Sequence, residues 1–131
     1  LEETVETNRK LLVLAVDDNS ALQEALRLWA LSEESINLRS ALNATDGLAI
    51  FRELKDRLDV VAVDGQIPGG LTSLEFMKEV SASGFLKGKG LAIAISTEPD
   101  ANRLLRSAGC DAECDKSHLH IVLRKLARLG S

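Results

Sequence analysis

Three apolar runs that each stop at an acid or a hydroxyl constrain this chain more than any other feature. Residues 11–16 end at Asp17-Asp18-Asn19, residues 58–63 at Asp64, and residues 91–95 at Ser96-Thr97. A strand with one wet face alternates apolar and polar residues, whereas near-continuous apolar runs belong to strands covered by helices on both sides. Residues 36–42 and 112–115 are weaker strand candidates. Between the runs, apolar residues recur at helical spacing: Leu22, Ala25, Leu26 and Trp29; Leu48, Ala49, Phe51 and Leu54; Leu74, Met77 and Val80. Ala101, Leu104, Leu105 and Ala108 form a fourth stripe, and Leu119, Val122, Leu123 and Leu126 a fifth. Ser20 with Gln23 and Thr72 with Glu75 have the capping-box spacing, and Pro99 suits a first helical turn. Five strands alternating with five helices predict an α/β fold, a doubly wound five-stranded parallel sheet with helices on both faces.

Size and charge narrow the function classes. With 131 residues, 45% of them hydrophobic, the chain can bury one core without metal or disulfide staples. Residues 1–10 are polar and aperiodic, so they are expected to be a tail, with the folded domain over 11–131. Sixteen Lys and Arg against twenty Asp and Glu give a net charge of −4, which argues against direct nucleic-acid binding through phosphate contacts. No run reaches the ~18 apolar residues of a membrane span, and the start lacks a signal-peptide pattern, so no membrane insertion is expected. Two cysteines, Cys110 and Cys114, agree with a reducing compartment, and the expected location is cytoplasmic.

In doubly wound sheets, ligands bind beyond the carboxyl ends of the strands, where strand order reverses. In the order 2-1-3-4-5, strands one, three and four are neighbours. Asp17, Asp18, Asp64, Ser96, Thr97 and Lys116, which follows the fifth strand, then surround one pocket. Two carboxylates 4 Å apart repel by about 4 kcal/mol at an effective dielectric near 20, so such a cluster calls for a cation or a shifted pKa. All-oxygen ligands favour a hard ion, Mg²⁺ with Mn²⁺ as a substitute. A central ionised aspartate can attack phosphorus to give an acyl phosphate, with Lys116 and the Ser96 hydroxyl stabilising the phosphoryl oxygens.

These residues, in this order, resemble the receiver domain of two-component response regulators, the CheY-like, flavodoxin-like fold, over residues 11–129. The resemblance implies that Asp64 accepts a phosphoryl group from the phosphohistidine of a sensor histidine kinase or histidine phosphotransfer protein. It implies that Asp17, Asp18 and Asp64 bind Mg²⁺ together with the Gln66 backbone carbonyl, and that Ser96, with Thr97 as the second candidate hydroxyl, and Lys116 bind phosphate. Gln66 and Glu98 fall where the family flanks the path of the attacking water. A downstream protein partner or attached domain would read the switch, so the expected class is a signalling module and not an enzyme.

Three departures from the family pattern stand out. Glu113 occupies the place of the usual aromatic reporter, three residues before Lys116. Ser117 follows Lys116 where a cis proline is usual, and a cis bond before a non-proline costs about 2.5–4 kcal/mol, so a trans bond is expected. The interval from Ser96 to Lys116 is short, so the fourth helix should be short or displaced. The alternative function is accordingly a degenerate receiver-like interaction domain with altered or lost phospho-switching. A phosphatase of the haloacid dehalogenase type would need a second aspartate where Gln66 stands. Cys110, Cys114, His118 and His120 lie within eleven residues, but the two histidines point to nearly opposite sides, which disfavours zinc. Cys114 is expected to be buried and Cys110 near the surface, and Trp29 is expected in the core.

Overall fold

The first apolar run becomes β1, Leu11–Val16, and its neighbours in the sheet are β2, Ile36–Ala41, and β3, Val60–Val63. Together with β4, Leu91–Ala94, and β5, Ala112–Glu113, they form a parallel sheet in the order β2-β1-β3-β4-β5. The computed structural model describes residues 10–65, 70–88 and 90–129. The expected boundary at residues 1–10 therefore lies almost entirely outside the described residues. Strand β3 starts later than its apolar run, and just before it the Asp59 carboxylate accepts the Leu12 N–H, 2.8 Å away. The fifth strand is also shorter than predicted, since its ladder ends where the Cys114 N–H donates to the Ala94 carbonyl.

Five helices cover the sheet: α1, Ser20–Leu31; α2, Ala44–Leu54; α3, Ser73–Ala82; α4, Pro99–Ser107; and α5, Leu119–Leu129. Helix α4, with nine residues, is the shortest of the five. Period-two alternation sends Leu12, Leu14 and Val16 into one core with Phe51, Phe76 and Leu105 from α2, α3 and α4. Val13 and Ala15 enter the other core with Leu26 of α1 and Leu119 and Leu123 of α5. Within the first core Phe51 meets Phe76 and Phe85 edge to face. Gly47 is required by this packing, since a Cβ there would lie 2.8 Å from Val16 Cγ2.

Several local expectations need correction. Helix α1 is capped by Asn19, whose Oδ1 accepts the Leu22 N–H, and not by Ser20. The cap moves one residue back because the Asn19 N–H is itself held by Asp17 Oδ1, which sets the turn. The buried stripe is then Gln23, Leu26 and Ala30, with Trp29 and Leu22 half-buried and Ala25 exposed. Ala49 and Leu104 are also exposed. The Thr72–Glu75 capping box forms in full, and Pro99 opens α4. Among the described residues no peptide bond is cis, so Lys116–Ser117 is trans. No helix among them is long and apolar enough to cross a membrane.

Candidate functional site

The parallel register aligns the strand ends: Val16 pairs with Val63, and Val63 with Ala94. The first residues beyond β1 and β3 are therefore side by side. The Asp17 N–H donates to the Ala41 carbonyl and the Asp64 N–H to the Val16 carbonyl, which extends the ladder by one step on each strand. Both aspartates are buried, while Asp18 is exposed at the mouth. One carboxylate oxygen from each of Asp17, Asp18 and Asp64 lies within 4.8 Å of the other two.

Lys116 closes this acidic group from the β5 side. Asp115 sets its turn by accepting the Ser117 N–H and hydroxyl, and a short 3-10 turn, Lys116–His118, leads into α5. Lys116 Nζ donates to Asp64 Oδ2 at 3.0 Å and lies 2.9 Å from Asp17 Oδ2. The ammonium therefore bridges the two buried carboxylates, with Asp17 Oδ2 and Asp64 Oδ2 on either side of it.

Burial pushes the Asp17 carboxyl above its usual range, and the Asp64 charge adds to this, against the opposing pull of the Asn19 N–H and Lys116. Burial alone would lower the Lys116 ammonium, but the Asp17 and Asp64 carboxylates outweigh it and hold it above its ordinary value. Three converging carboxylates, two of them buried, with no histidine or thiol in the group, fit a hard divalent cation.

On the other flank β4 ends at Ala94 and the chain continues to Ser96, which is buried, with its Oγ accepting the Glu98 N–H at 3.1 Å. Thr97 and Glu98 are exposed. Thr97 does not cap the following helix; the N-cap of α4 is Glu98, without a side-chain bond. Glu113 is exposed on β5 opposite Ala94. Gln66, expected to offer a backbone carbonyl, lies outside the described residues.

Three residues hold the site in roles the sequence pattern does not indicate, Gln23 among them, whose capping-box spacing with Ser20 pointed to a helix cap instead. Ser73, buried at the start of α3, donates its hydroxyl to the Asp64 carbonyl. Gln23 Nε2 faces the carbonyls of Ala15, Asp17 and Ala41 at 3.0–3.2 Å and so braces the Asp17 turn. Asn102 of α4 binds the Ser96 main chain. Each is a polar residue within a helix, and only the neighbouring backbone makes it structural.

The zinc group does not assemble: among the described residues, converging acid, thiol or imidazole ligands occur only at Asp17, Asp18 and Asp64. The order of burial of the cysteines is the reverse of that expected. Cys110 is buried, its N–H bonded to the Leu105 carbonyl and its thiol pushed up to about 12 by that burial. Cys114, beyond the end of β5, is half-buried. Trp29 is half-buried against the His120 ring, with the Arg124 guanidinium over its face.

No family profile matches the sequence, and no curated protein matches it. Solved structures do. The chain superposes on the chemotaxis protein CheY4 of Vibrio cholerae with a TM-score of 0.72 at 22% identity, covering 88% of this chain and 98% of that one. It matches a variant of the receiver domain of the Arabidopsis thaliana histidine kinase CKI1 at 0.72 and 21% identity, covering 94% and 93%. The receiver domain of Ssk1 from Saccharomyces cerevisiae, crystallised with the histidine phosphotransfer protein Ypd1, gives 0.72 and 24%, covering 93% and 90%. The chain therefore has the CheY-like receiver fold.

Proposed function

We propose that this chain is a phosphorylatable receiver domain that takes a phosphoryl group onto Asp64. The observation that carries this is the ammonium of Lys116 bridging two buried carboxylates, Asp17 and Asp64, at the carboxyl edge of a receiver fold, with Asp18 at the mouth. The donor is the phosphohistidine of a sensor histidine kinase or histidine phosphotransfer protein, the kind of protein with which the yeast receiver was crystallised.

In the transfer, an Asp64 carboxylate oxygen attacks phosphorus, the O–P bond forms as the N–P bond breaks, and the donor imidazole leaves with the electron pair. Asp17, Asp18 and Asp64 would hold Mg²⁺ or Mn²⁺, which supplies positive charge against the phosphoryl oxygens. Lys116 neutralises charge on the same group. Ser96 stands at the adjacent strand end to hydrogen-bond the phosphoryl oxygen once it turns from Glu98. The product is a changed surface and not a released compound, so the protein acts as a cytoplasmic signalling switch rather than an enzyme.

Intact-mass measurement after incubation with acetyl phosphate and Mg²⁺ tests this. A gain of one phosphoryl mass is expected, and it is expected to vanish with EDTA and in Asp64→Asn. If neither a phosphoryl nor a beryllofluoride adduct forms, the switch is refuted. The exposed Glu113 in place of an aromatic reporter would then favour an interaction domain that works unmodified.

A further inference from the structure

The turn that carries Asp17 and Asp18 is closed from both ends by one residue of α1. The Gln23 N–H donates to the Asn19 carbonyl at 3.0 Å, which starts the helix. The Gln23 side chain reaches back, and its Nε2 donates to the Asp17 carbonyl at 3.2 Å, with the carbonyls of Ala15 and Ala41 at 3.0 and 3.1 Å from the same nitrogen. Inside this clasp the Asn19 N–H is bonded to Asp17 Oδ1 at 2.9 Å. The ladder between β1 and β2 has its last pair at Val16 and Ala41, so the Asp17 carbonyl lies one step past it. Gln23 supplies there the donor that a further strand residue would have supplied.

Packing alone does not account for an amide at this place. Gln23 is 6% exposed, on the same buried stripe as Leu26 and Ala30. Its amide has two hydrogens for three carbonyls, and among the described residues nothing donates to its Oε1. An apolar side chain of similar length would bury no such acceptor, so the amide is explained by what its donor side holds. What it holds bears on the cation. Asp17 and Asp18 belong to the three carboxylates with oxygens within 4.8 Å of one another, and like charges at that distance push apart. Lys116 draws Asp17 and Asp64 together from the β5 side, and Gln23 ties the Asp17 main chain to the end of β2 on the opposite side.

We infer that Gln23 is a positioning residue for the cation: by clasping the turn from Asp17 to Asn19 it preorganises the Asp17 and Asp18 carboxylates for a hard divalent ion. This rests on the metal reading of the site, and it deepens it by naming a residue that sets the affinity without touching the ion. A turn fixed before the ion arrives spares binding the cost of ordering it. Without the clasp the two carboxylates move apart in the metal-free protein, and the ion must reassemble the turn as it binds.

The test is a titration of the full chain with Mg²⁺ followed by backbone amide NMR, with Asn19 as the reporter because its N–H is bonded to Asp17 Oδ1. Gln23→Met keeps the length of the side chain and removes the donor. It is expected to raise the Mg²⁺ Kd by about tenfold or more, and to move the Asn19 amide resonance in the metal-free protein. Ala30→Gly, on the same buried stripe of α1, is expected to lower stability to urea and to leave both readings unchanged, which separates positioning from a general loss of stability. A wild-type Kd in Gln23→Met overturns the inference, as does an equal rise of Kd in Ala30→Gly. Should Gln23→Met fail to fold, Gln23→Asn decides, because its amide stops one methylene short of the three carbonyls; a wild-type Kd in it overturns the inference. Absence of saturable Mg²⁺ binding in the wild type overturns the metal reading and this inference with it, whereas wild-type binding that is indifferent to the Gln23 substitutions overturns the inference alone.

Discussion

Replacing Lys116 by Met removes an ammonium that lies 2.9 Å from Asp17 Oδ2 and 3.0 Å from Asp64 Oδ2, and keeps a side chain of similar length. The two carboxylates it leaves offer oxygens within 4.8 Å of each other. At an effective dielectric near 20 their repulsion is about 332/(20 × 4.8), or ~3.5 kcal/mol. Breaking a buried pair by removing one partner costs about 3–5 kcal/mol, and the remaining solvent access of Lys116 places this case at the low end, about 3 kcal/mol. For a domain of this size that is a fall in Tm of roughly 10 °C.

The pH dependence of this loss has a defined sign on both sides. The stabilisation by Lys116 is complete below its unfolded value of 10.5 and is lost as pH rises through its higher folded value, a loss the Met variant does not share. On the acid side, the Asp17 carboxyl is raised above 3.8, so the native state takes up its proton before the unfolded state does. Acidification therefore relieves the native state of the Met variant first, since it has lost the opposing pull of Lys116. The gap between the two proteins should be widest near neutrality and narrow in both directions, and saturating Mg²⁺ should narrow it at pH 7.5. Thermal unfolding in EDTA, followed by circular dichroism and by the single tryptophan, Trp29, measures it. A Tm loss under about 3 °C at pH 7.5, or a loss indifferent to both pH and Mg²⁺, would refute the electrostatic account.

Other outcomes follow from the same geometry. Mg²⁺ at a hundred times its Kd should stabilise the wild type by about 2.7 kcal/mol, and the shift should disappear in Asp17→Asn, which keeps an acceptor for the Asn19 N–H but removes the charge; thermal shift against Mg²⁺ concentration reads both. Gly65→Ala places a Cβ 2.7 Å from Ala101 Cβ and 3.3 Å from Leu105 Cδ1, so α4 must yield, and urea unfolding should show a loss of about 1–3 kcal/mol. Cys110, with its thiol pushed up to about 12, holds about one part in ten thousand as thiolate at pH 8 and should resist iodoacetamide until the protein unfolds, whereas the half-buried Cys114 reacts first in a peptide-mapped time course.

Much of the site could be read along the chain because a parallel sheet turns sequence order into position. Each strand contributes its next residue to one edge, so Asp17 and Asp64, separated by α1, β2, α2 and β3, become neighbours once β1 pairs with β3. The helix signals were weaker where two adjacent residues could serve the same role. Asn19 and Ser20 both suit an N-cap, and the choice fell to the bond between the Asn19 N–H and Asp17 Oδ1. Leu104 fits the apolar stripe of α4 but is exposed, since only the Leu105 side of the short helix reaches the sheet.

The apolar runs and the polar residues that end them determine the doubly wound sheet and the acids and lysine at its carboxyl edge, because strand burial and strand ends are local properties of the pattern. The tertiary structure decided how those groups are held. Ser73 on the Asp64 carbonyl, Gln23 on the Asp17 turn and Asn102 on the Ser96 main chain are ordinary helix residues until another segment brings backbone polar groups within hydrogen-bond distance. Lys116 likewise becomes the partner of two buried carboxylates only when β5 docks on β4, because the energy of a buried charge depends on what surrounds it in space and not on its neighbours along the chain.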